Sequence, residues 1–331
     1  MLAYQKMRHS LIAAIVILAS AAGSARAQDL AGLRFQVDND WFDFWQRSVD
    51  RPDENYTAGH ALRLVFDATP GWMRFSRPDC SSARRISAAP SVCVQTFATL
   101  TQQIFTPTHD SPMPVSGERP YAGLLLGEFG VQFAQPRLLQ AAGIHLGTTG
   151  GISGAEAAQK AFHRLADLRR PQGWAYQVAT QAVVGIMYGS QYMLTPPRVG
   201  RRTALTAAAD GTAIATTIQS GANAGVEIHA GHNAPHPWMS GSSSDRRRFR
   251  VYAILGANES WVARNLLIEG NTPYTTGLVV KKPFVFESVW GLAAGAGGYF
   301  IEYRAISMTR DYETGPSWHR WGAISLIVGT P

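Results

Sequence analysis

Charged residues and cysteines are both scarce in this chain of 331 residues. Asp, Glu, Lys and Arg make up 16% of it and only two cysteines occur, whereas soluble domains carry roughly 25% charged residues. The only long apolar run lies near the N-terminus, and even that run is too short to cross a membrane as a helix. Glycine, with 32 residues, and aromatic residues, at 10%, are plentiful. This composition is typical of an outer-membrane β-barrel, and it also fits a soluble all-β protein.

The apolar stretch near the N-terminus has the features of a secretory signal peptide. Lys6 and Arg8 precede an apolar core at residues 11–22, and Ala25-Arg26-Ala27 provides an A-x-A cleavage pattern. The core is too short to span a bilayer. We therefore expect residues 1–27 to be removed and residues 28–331 to form a single exported domain, because no repeat or linker divides them.

Export restricts the chemistry of the cysteines and the choice of partners. Cys80 and Cys93 close a short loop, and in an exported protein they are expected to form one disulfide. Their spacing matches no multi-ligand site for a soft metal. The formal net charge is +7, but an exported protein is not expected to bind nucleic acid. Arginines suit the phosphates of a bacterial surface glycolipid, although any one of them can equally be an ordinary solvated charge.

The mature chain contains twelve segments that are typical of β-strands and are separated by turn signals. They are residues 31–38, 56–66, 94–105, 121–133, 142–149, 176–188, 203–209, 212–231, 249–258, 278–293, 298–308 and 318–328. An even number of strands joined by turns predicts an all-β fold, a transmembrane antiparallel β-barrel of about 12 strands. If both termini lie in the periplasm, the loops after the first, third and fifth strands share the outer rim.

Residues 146–177 contain a helical segment in this otherwise strand-like chain. An S-x-x-E capping box begins at Ser153, and an apolar stripe at helical spacing predicts a short helix to about Leu168. Gln159 and His163, four residues apart, share a second stripe beside it. The sequence therefore predicts a short helix in the third outer loop, with these two polar side chains on one face.

Several polar residues at the same rim could carry ester hydrolysis. His163 is a natural general base, and a surface histidine is the alternative interpretation. Asp40, next to Asn39 at a strand end, offers oxygen ligands for a hard cation such as Ca²⁺, to which Thr57 could add another; ordinary turn chemistry is the alternative. Such an ion could polarise an ester carbonyl. The absence of a G-x-S-x-G elbow favours a water activated by histidine over a serine nucleophile.

Six short motifs follow one another in an order that resembles a known family. They are Asp38-Asn39-Asp40, Tyr56-Thr57-Ala58-Gly59, Arg119-Pro120-Tyr121-Ala122-Gly123, residues 146–177 with the forms L-G-x-x-G, Q-x-x-x-H and G-W-x-x-Q, residues 267–271, and Lys281-Lys282-Pro283. Together they cover most of the mature chain. The sequence resembles the LpxR-type lipid A 3-O-deacylases of Gram-negative outer membranes.

The resemblance implies a twelve-stranded outer-membrane barrel that hydrolyses, with Ca²⁺, the ester holding the 3′-acyloxyacyl group on lipid A. It implies that His163 activates water, that Asn39 and Asp40 lie at the calcium site, and that Thr57 and Gln159 line the same pocket. Lipid A or lipopolysaccharide is then the substrate, the outer-membrane lipids are the surroundings, and a monomer is expected. A barrel with a structural or lipid-binding role, and a phospholipase-type esterase, remain the alternatives.

The resemblance also implies two further site residues at which this chain departs from the family. The family uses a lysine from the second-loop region, but no lysine lies between Lys6 and Lys160. Arg119 is the nearest basic candidate, and it keeps the charge with a different shape. The family also uses an acidic residue shortly after the histidine, and Asp167 is the acid close by.

Overall fold

Twelve antiparallel strands form a closed barrel in the computed structural model, which describes residues 30–43, 55–67, 93–135, 137–195, 203–235 and 249–329. Each strand pairs with its neighbours in sequence, and β1 pairs with β12 to close the sheet. The strands are β1 Leu30–Asn39, β2 Asn55–Phe66, β3 Cys93–Thr106, β4 Ala122–Ala134, β5 Leu138–Thr149, β6 Ala182–Met193, β7 Thr203–Thr216, β8 Gln219–His232, β9 Arg250–Asn265, β10 Phe284–Ala296, β11 Tyr299–Thr309 and β12 Trp318–Gly329. The predicted fold class and strand number are confirmed.

Two α-helices and several short 3-10 helices lie between the described strands. Helix α1 is Ala155–Leu165, between β5 and β6, and helix α2 is Leu266–Glu269, between β9 and β10. None of the described helices has the length and apolarity needed to span a membrane. The signal peptide predicted at residues 1–27 lies outside the described residues. Cys93, the first residue of β3, is disulfide-bonded, and Cys80 lies outside the described residues.

The predicted turn at Asp210-Gly211 is wrong. Strand β7 runs through both residues to Thr216, and the turn to β8 lies at residues 217–218. The Thr216 hydroxyl closes this turn by accepting from the backbone amide of Gln219 at 2.8 Å. The Asp-Gly pair fails as a turn signal because both residues are paired on both sides within the sheet, Asp210 with Gln191 and Gly225, and Gly211 with Ser190 and Ala224.

The helix predicted in the third outer loop is confirmed, but its boundaries and its capping differ. Helix α1 begins at Ala155 after Gly154, whose left-handed backbone (φ 74°) forms the N-cap without a side-chain bond. The Ser153 hydroxyl donates to the Gly150 carbonyl at 2.6 Å, which closes the preceding 3-10 turn, and it accepts a longer bond of 3.4 Å from the Ala155 backbone amide. The helix ends at Leu165, and a second 3-10 helix at Gly173–Tyr176 delays the return strand.

Side chains along the strands alternate between a polar lumen and an apolar outer surface. In the lumen, Arg304 bonds Glu302 at 2.6 Å and Glu227 at 2.5 Å, and Glu128 lies 2.8 Å from His145. The exposed apolar side chains include Phe35, Leu62, Ile144, Leu146, Val184, Ile186, Leu255, Leu292, Ile301 and Leu326. This alternation is that of a membrane barrel, because the outer face contacts lipid and buried charges must be paired.

Candidate functional site

The predicted site residues lie at the same end of the barrel. Successive strands are antiparallel, so the connections after β1, β3 and β5 all leave from one rim. These connections and the strand ends beside them carry Asn39, Asp40, Thr57, Arg119, Gln159, His163 and Asp167. The predicted convergence on one rim is therefore confirmed by the topology.

Helix α1 packs against the outside of the barrel wall. In the lumen, the Tyr56 hydroxyl donates to the Asp38 carboxylate at 2.7 Å. Alternation along β1 then turns the next residue, Asn39, outward, and it pairs with Ala58, which pairs in turn with Ile104. Ala58 and Ile104 pack in one buried cluster with Ala155 of α1. The space between α1 and the wall therefore opens towards the lipid side of the barrel.

A glycine on β4 permits the close approach of this helix. A Cβ atom at Gly123 would lie 2.3 Å from the Ser153 hydroxyl and 2.4 Å from the Ala155 Cβ. On the neighbouring strand, the Gln102 amide donates to the Ser153 carbonyl at 2.8 Å. These contacts fix the N-terminal end of α1 on the wall, and they set the position of the side chains one and two turns further along.

His163 is buried between α1 and the wall, with 3% of its surface exposed. Its Nδ1 is hydrogen-bonded to the backbone carbonyl of Arg169. A carbonyl oxygen only accepts, so Nδ1 carries the hydrogen, and in a neutral imidazole Nε2 then holds the lone pair. The Leu168 amide donates to the His163 carbonyl at 2.8 Å and helps to return the chain towards the ring. The imidazole is thus held in the tautomer that accepts a proton at Nε2.

Asp167 belongs to the turn that follows α1. Its backbone is left-handed (φ 54°) and its side chain is exposed. The group that meets Nδ1 of His163 is instead the Arg169 carbonyl. The geometry therefore gives Asp167 a part in bringing Arg169 back to the ring, and its predicted role as the acid beside His163 stays a prediction.

Gln159, one helical turn before His163, is oriented by a tryptophan that the sequence did not single out. Nε1 of Trp174 donates to Oε1 of Gln159 at 2.7 Å, and both side chains are buried. Indole Nε1 can only donate, so this contact identifies the amide oxygen and leaves Nε2 on the other side. That Nε2 is buried and has no hydrogen-bond partner among the described residues. The only signal for Trp174 in the sequence is its place in the G-W-x-x-Q motif.

Asn39, Asp40 and Thr57 supply oxygen atoms where β1 ends and β2 begins. The Asn39 amide oxygen accepts from the Trp41 backbone amide at 2.8 Å and starts the 3-10 helix Asp40–Phe42. Thr57 is the extra residue of a β-bulge, and its hydroxyl lies 2.6 Å from that of Thr106. Bulges re-aim side chains in this way beside functional sites.

The oxygen atoms of Asn39, Asp40 and Thr57 are suitable ligands for a hard cation. Amide, hydroxyl and carboxylate oxygens are the ligands that Ca²⁺ prefers, and Asn39 can still accept through its second lone pair. Within the described ranges, no three His, Cys, Asp or Glu side chains form a group suited to a metal ion. A cation bound by Asp40 here would take its remaining ligands from neutral oxygens such as those of Asn39 and Thr57.

Arg119 is buried at the rim of the barrel, where it contacts Asp311 and Phe105. Its Nη1 lies 3.3 Å from the Asp311 carboxylate, its guanidinium stacks over Phe105 at 4.4 Å, and 2% of its surface is exposed. Burial lowers the pKa of the Arg119 guanidinium from its ordinary value, and the Asp311 carboxylate opposes that change. Phe105 pairs with Tyr56, next to the Thr57 bulge. Arg119 therefore joins the loops after β3 and β11 behind the site.

A family model and one solved structure agree with this architecture. A family model described as outer membrane protein LpxR matches residues 11–330. The chain is similar to the structure of LpxR from Salmonella typhimurium, with 16% identity and a TM-score of 0.72 over 91% of this chain and 100% of that one. A CymD monoaromatic hydrocarbon channel matches at 10% identity and a TM-score of 0.33, over 91% and 88% of the two chains. No match was found among curated proteins.

Proposed function

Because the chain belongs to the LpxR family of outer membrane proteins, we propose that it is a lipid A deacylase. In this proposal it hydrolyses the ester that holds the 3′-acyloxyacyl group on lipid A. The observation that carries the proposal is the position of His163, buried between α1 and the outward face of the wall with Nδ1 bonded to the Arg169 carbonyl. A base there meets lipid from the side of the membrane.

His163 acts as a general base towards water. As the water oxygen bonds to the acyl carbon, Nε2 takes one of its protons, and Nδ1–H remains bonded to the Arg169 carbonyl. When the bond between the acyl carbon and the sugar oxygen breaks, the imidazolium returns the proton to that oxygen. The products are a free fatty acid and a sugar hydroxyl, and the imidazole is again neutral.

Gln159 supplies a hydrogen-bond donor beside this base. Its Oε1 is occupied by Trp174, so its Nε2–H groups are the part of the amide available to a substrate oxygen. A donor that is already oriented and shielded from water can stabilise the negative charge that develops on the carbonyl oxygen of the ester. Gln159 therefore assists the step in which His163 accepts its proton.

Asn39, Asp40 and Thr57 are the residues that would hold Ca²⁺. When bound, the ion would act as a Lewis acid on the ester carbonyl. Local structure fixes the positions of these three residues. Asn39 caps the 3-10 helix that presents Asp40, and the bulge at Thr57 directs its hydroxyl towards Thr106. The calcium requirement is part of the proposal.

Mass spectrometry of lipid A from Gram-negative cells expressing the chain tests this function. Lipid A from cells with the unmodified protein should be lighter by the mass of the 3′-acyloxyacyl unit, and lipid A from cells with His163→Ala should keep that unit. Heat-modifiable gel mobility of both proteins shows that each is a folded barrel. Release of fatty acid from glycerophospholipids instead would identify a phospholipase. Unchanged lipids in calcium-containing medium would contradict an enzymatic role.

A further inference from the structure

Three apolar side chains beside the candidate site are exposed where a water-facing loop would be polar. The exposed fractions are 89% for Leu165, 47% for Trp41 and 39% for Phe162. The rings of Trp41 and Phe162 meet edge to face, with centroids 6.1 Å apart. We call these three residues the apolar lip. An apolar surface of this kind marks an interaction site, because leaving it in water is unfavourable.

The apolar lip lies on the lipid side of the barrel wall. It belongs to α1 and to the 3-10 helix Asp40–Phe42, and α1 packs on the outward-facing residues Ala58 and Ile104. Further down the same outer face, Leu62 of β2 is exposed as part of the lipid-facing surface. The lip is therefore continuous with a surface that the bilayer already covers.

Exposed aromatic residues elsewhere on the rim place the lip at the height of the membrane interface. Trp261 pairs with Phe284 near the outer ends of β9 and β10, and Trp318 begins β12. Rings at this position form the aromatic girdle that marks the boundary between headgroups and acyl chains in membrane barrels. Among the described residues on the β1–β5 side of the outer end, the exposed aromatic rings are Trp41 and Phe162. They continue the girdle around the wall.

We propose that the apolar lip is inserted into the outer leaflet and is covered there by lipid acyl chains. Resting on the proposed function, the lip also guides the acyl chain of the substrate to the base. Phe162 and His163 are consecutive on α1, with ring centroids 6.3 Å apart, so a chain that lies along Phe162 brings its ester to the side of the helix where the imidazole is buried. The lip is thus a binding surface for acyl chains, and the polar end of the lipid remains at the rim.

Site-directed spin labelling of the folded full chain tests the insertion without any need for activity. Single cysteines are introduced at Leu165 and at its exposed neighbour Arg164, with Ile144 as the lipid-facing reference and Glu313 as the water-facing reference. The unmodified protein serves as the labelling blank, because Cys93 is disulfide-bonded. The labelled proteins are placed in vesicles of dioleoylphosphatidylcholine, and their collisions with oxygen and with a water-soluble nickel complex are compared.

The ratio of oxygen to nickel collisions at Leu165 should be close to that at Ile144 and several-fold above that at Glu313. The ratio at Arg164 should be lower than that at Leu165. A label at Leu165 that behaves like the one at Glu313 would overturn the insertion. If Leu165→Cys does not fold, Phe162→Cys is measured against the same references and decides the question in the same way.

Deacylation kinetics test the guiding role. Trp41→Ala and Phe162→Ala should each raise KM for lipid A in vesicles by about tenfold with little change in kcat, because each removes an aromatic contact with the chain. Ile144→Ala, which shortens a lipid-facing side chain away from α1, is the matched control. Unchanged KM in both variants of an active protein would overturn guidance by the lip. No acyl release by the unmodified protein would refute the proposed function instead, and the labelling result would still stand.

Discussion

The indole of Trp174 and the amide of Gln159 are held by one hydrogen bond of 2.7 Å whose donor can only be the indole. The bond assigns the orientation of the amide without ambiguity. It also aligns a residue on the loop after α1 with a residue in the middle of the helix. The direction in which Gln159 presents its N–H groups therefore depends on a side chain that does not belong to the helix.

Replacing Trp174 by phenylalanine should lower kcat and leave KM nearly unchanged. The ring still fills its place beside Tyr121, at 5.0 Å between centroids, but the amide of Gln159 is free to turn. Loss of one oriented donor reduces kcat by about 10²-fold. The measurement is steady-state acyl release from lipid A. Tyr121→Phe removes a hydroxyl from the same cluster, one that bonds Asp110 rather than Gln159, and should leave kcat unchanged. Equal kcat in both variants would contradict the role of Trp174.

Alanine at Gly123 should impair catalysis and leave the barrel folded. Its Cβ would lie 2.3 Å from the Ser153 hydroxyl, so the start of α1 must move away from the wall. A displacement of about 1 Å in a catalytic arrangement can lower the rate by about 10²-fold. Gly151→Ala is the matched control, because a Cβ atom at Gly151 would meet nothing within 4 Å. The prediction fails if the two variants release acyl chains at the same rate, with heat-modifiable mobility confirming folding.

Asp167→Asn should retain most of the activity, whereas His163→Ala should abolish it. Asparagine tolerates the left-handed backbone found at Asp167, and the His163 ring keeps its bond to the Arg169 carbonyl. Rates of lipid A deacylation by the two variants decide the matter. A loss by Asp167→Asn as large as that by His163→Ala would establish Asp167 as the acid that the family resemblance implies.

Arg119→Met should destabilise the outer rim by about 3 kcal/mol, because it leaves the largely buried Asp311 carboxylate without its cation. The free energy of unfolding is measured by urea titration in lipid vesicles. The double variant with Asp311→Asn should be less destabilised than the sum of the two single variants, which is the sign of a direct pair. Additive effects would show that Arg119 and Asp311 do not stabilise the rim together.

Removal of calcium should abolish acyl release. Asp40→Asn should raise the calcium concentration needed for half-maximal activity by more than about tenfold, because the Asp40 carboxylate supplies the negative charge among these oxygen ligands. The experiment titrates Ca²⁺ into chelator-treated protein and follows the freed fatty acid. Undiminished release in excess chelator would refute the calcium requirement, and an unchanged titration midpoint in Asp40→Asn would exclude that carboxylate as a ligand.

The sequence predicted the barrel because lipid on one side and a polar lumen on the other impose an alternating pattern on every strand. It also placed Gln159 and His163 on one face of a short helix, since that depends only on local spacing. It did not predict the side of the wall on which the helix lies. That side follows from the register of β1 to β3 and from the bulge at Thr57, which depend on the closed barrel.

Contacts between distant segments could not be predicted from the sequence either, because they too depend on the closed barrel. Asp311 is 192 residues from Arg119, and nothing in the local pattern of either residue indicates the other. Helix α1 begins one residue later than the capping box predicts, because Gly154, with its left-handed backbone, takes the N-cap position, while Ser153 belongs to the preceding turn and its carbonyl accepts from Gln102 on the wall. Local propensity identified the element, and its tertiary surroundings decided the residue at which it begins.

The location of His163 outside the wall has a consequence for the kinetics of the proposed reaction. The lumen is occupied by bonded charges such as Arg304 and Glu227, so substrate and base meet within the plane of the leaflet. The frequency of encounter then depends on lateral diffusion and on the number of lipid A molecules per unit area of membrane. Dilution of the cells would leave turnover unchanged, whereas dilution of lipid A by other lipids in the same leaflet would slow it.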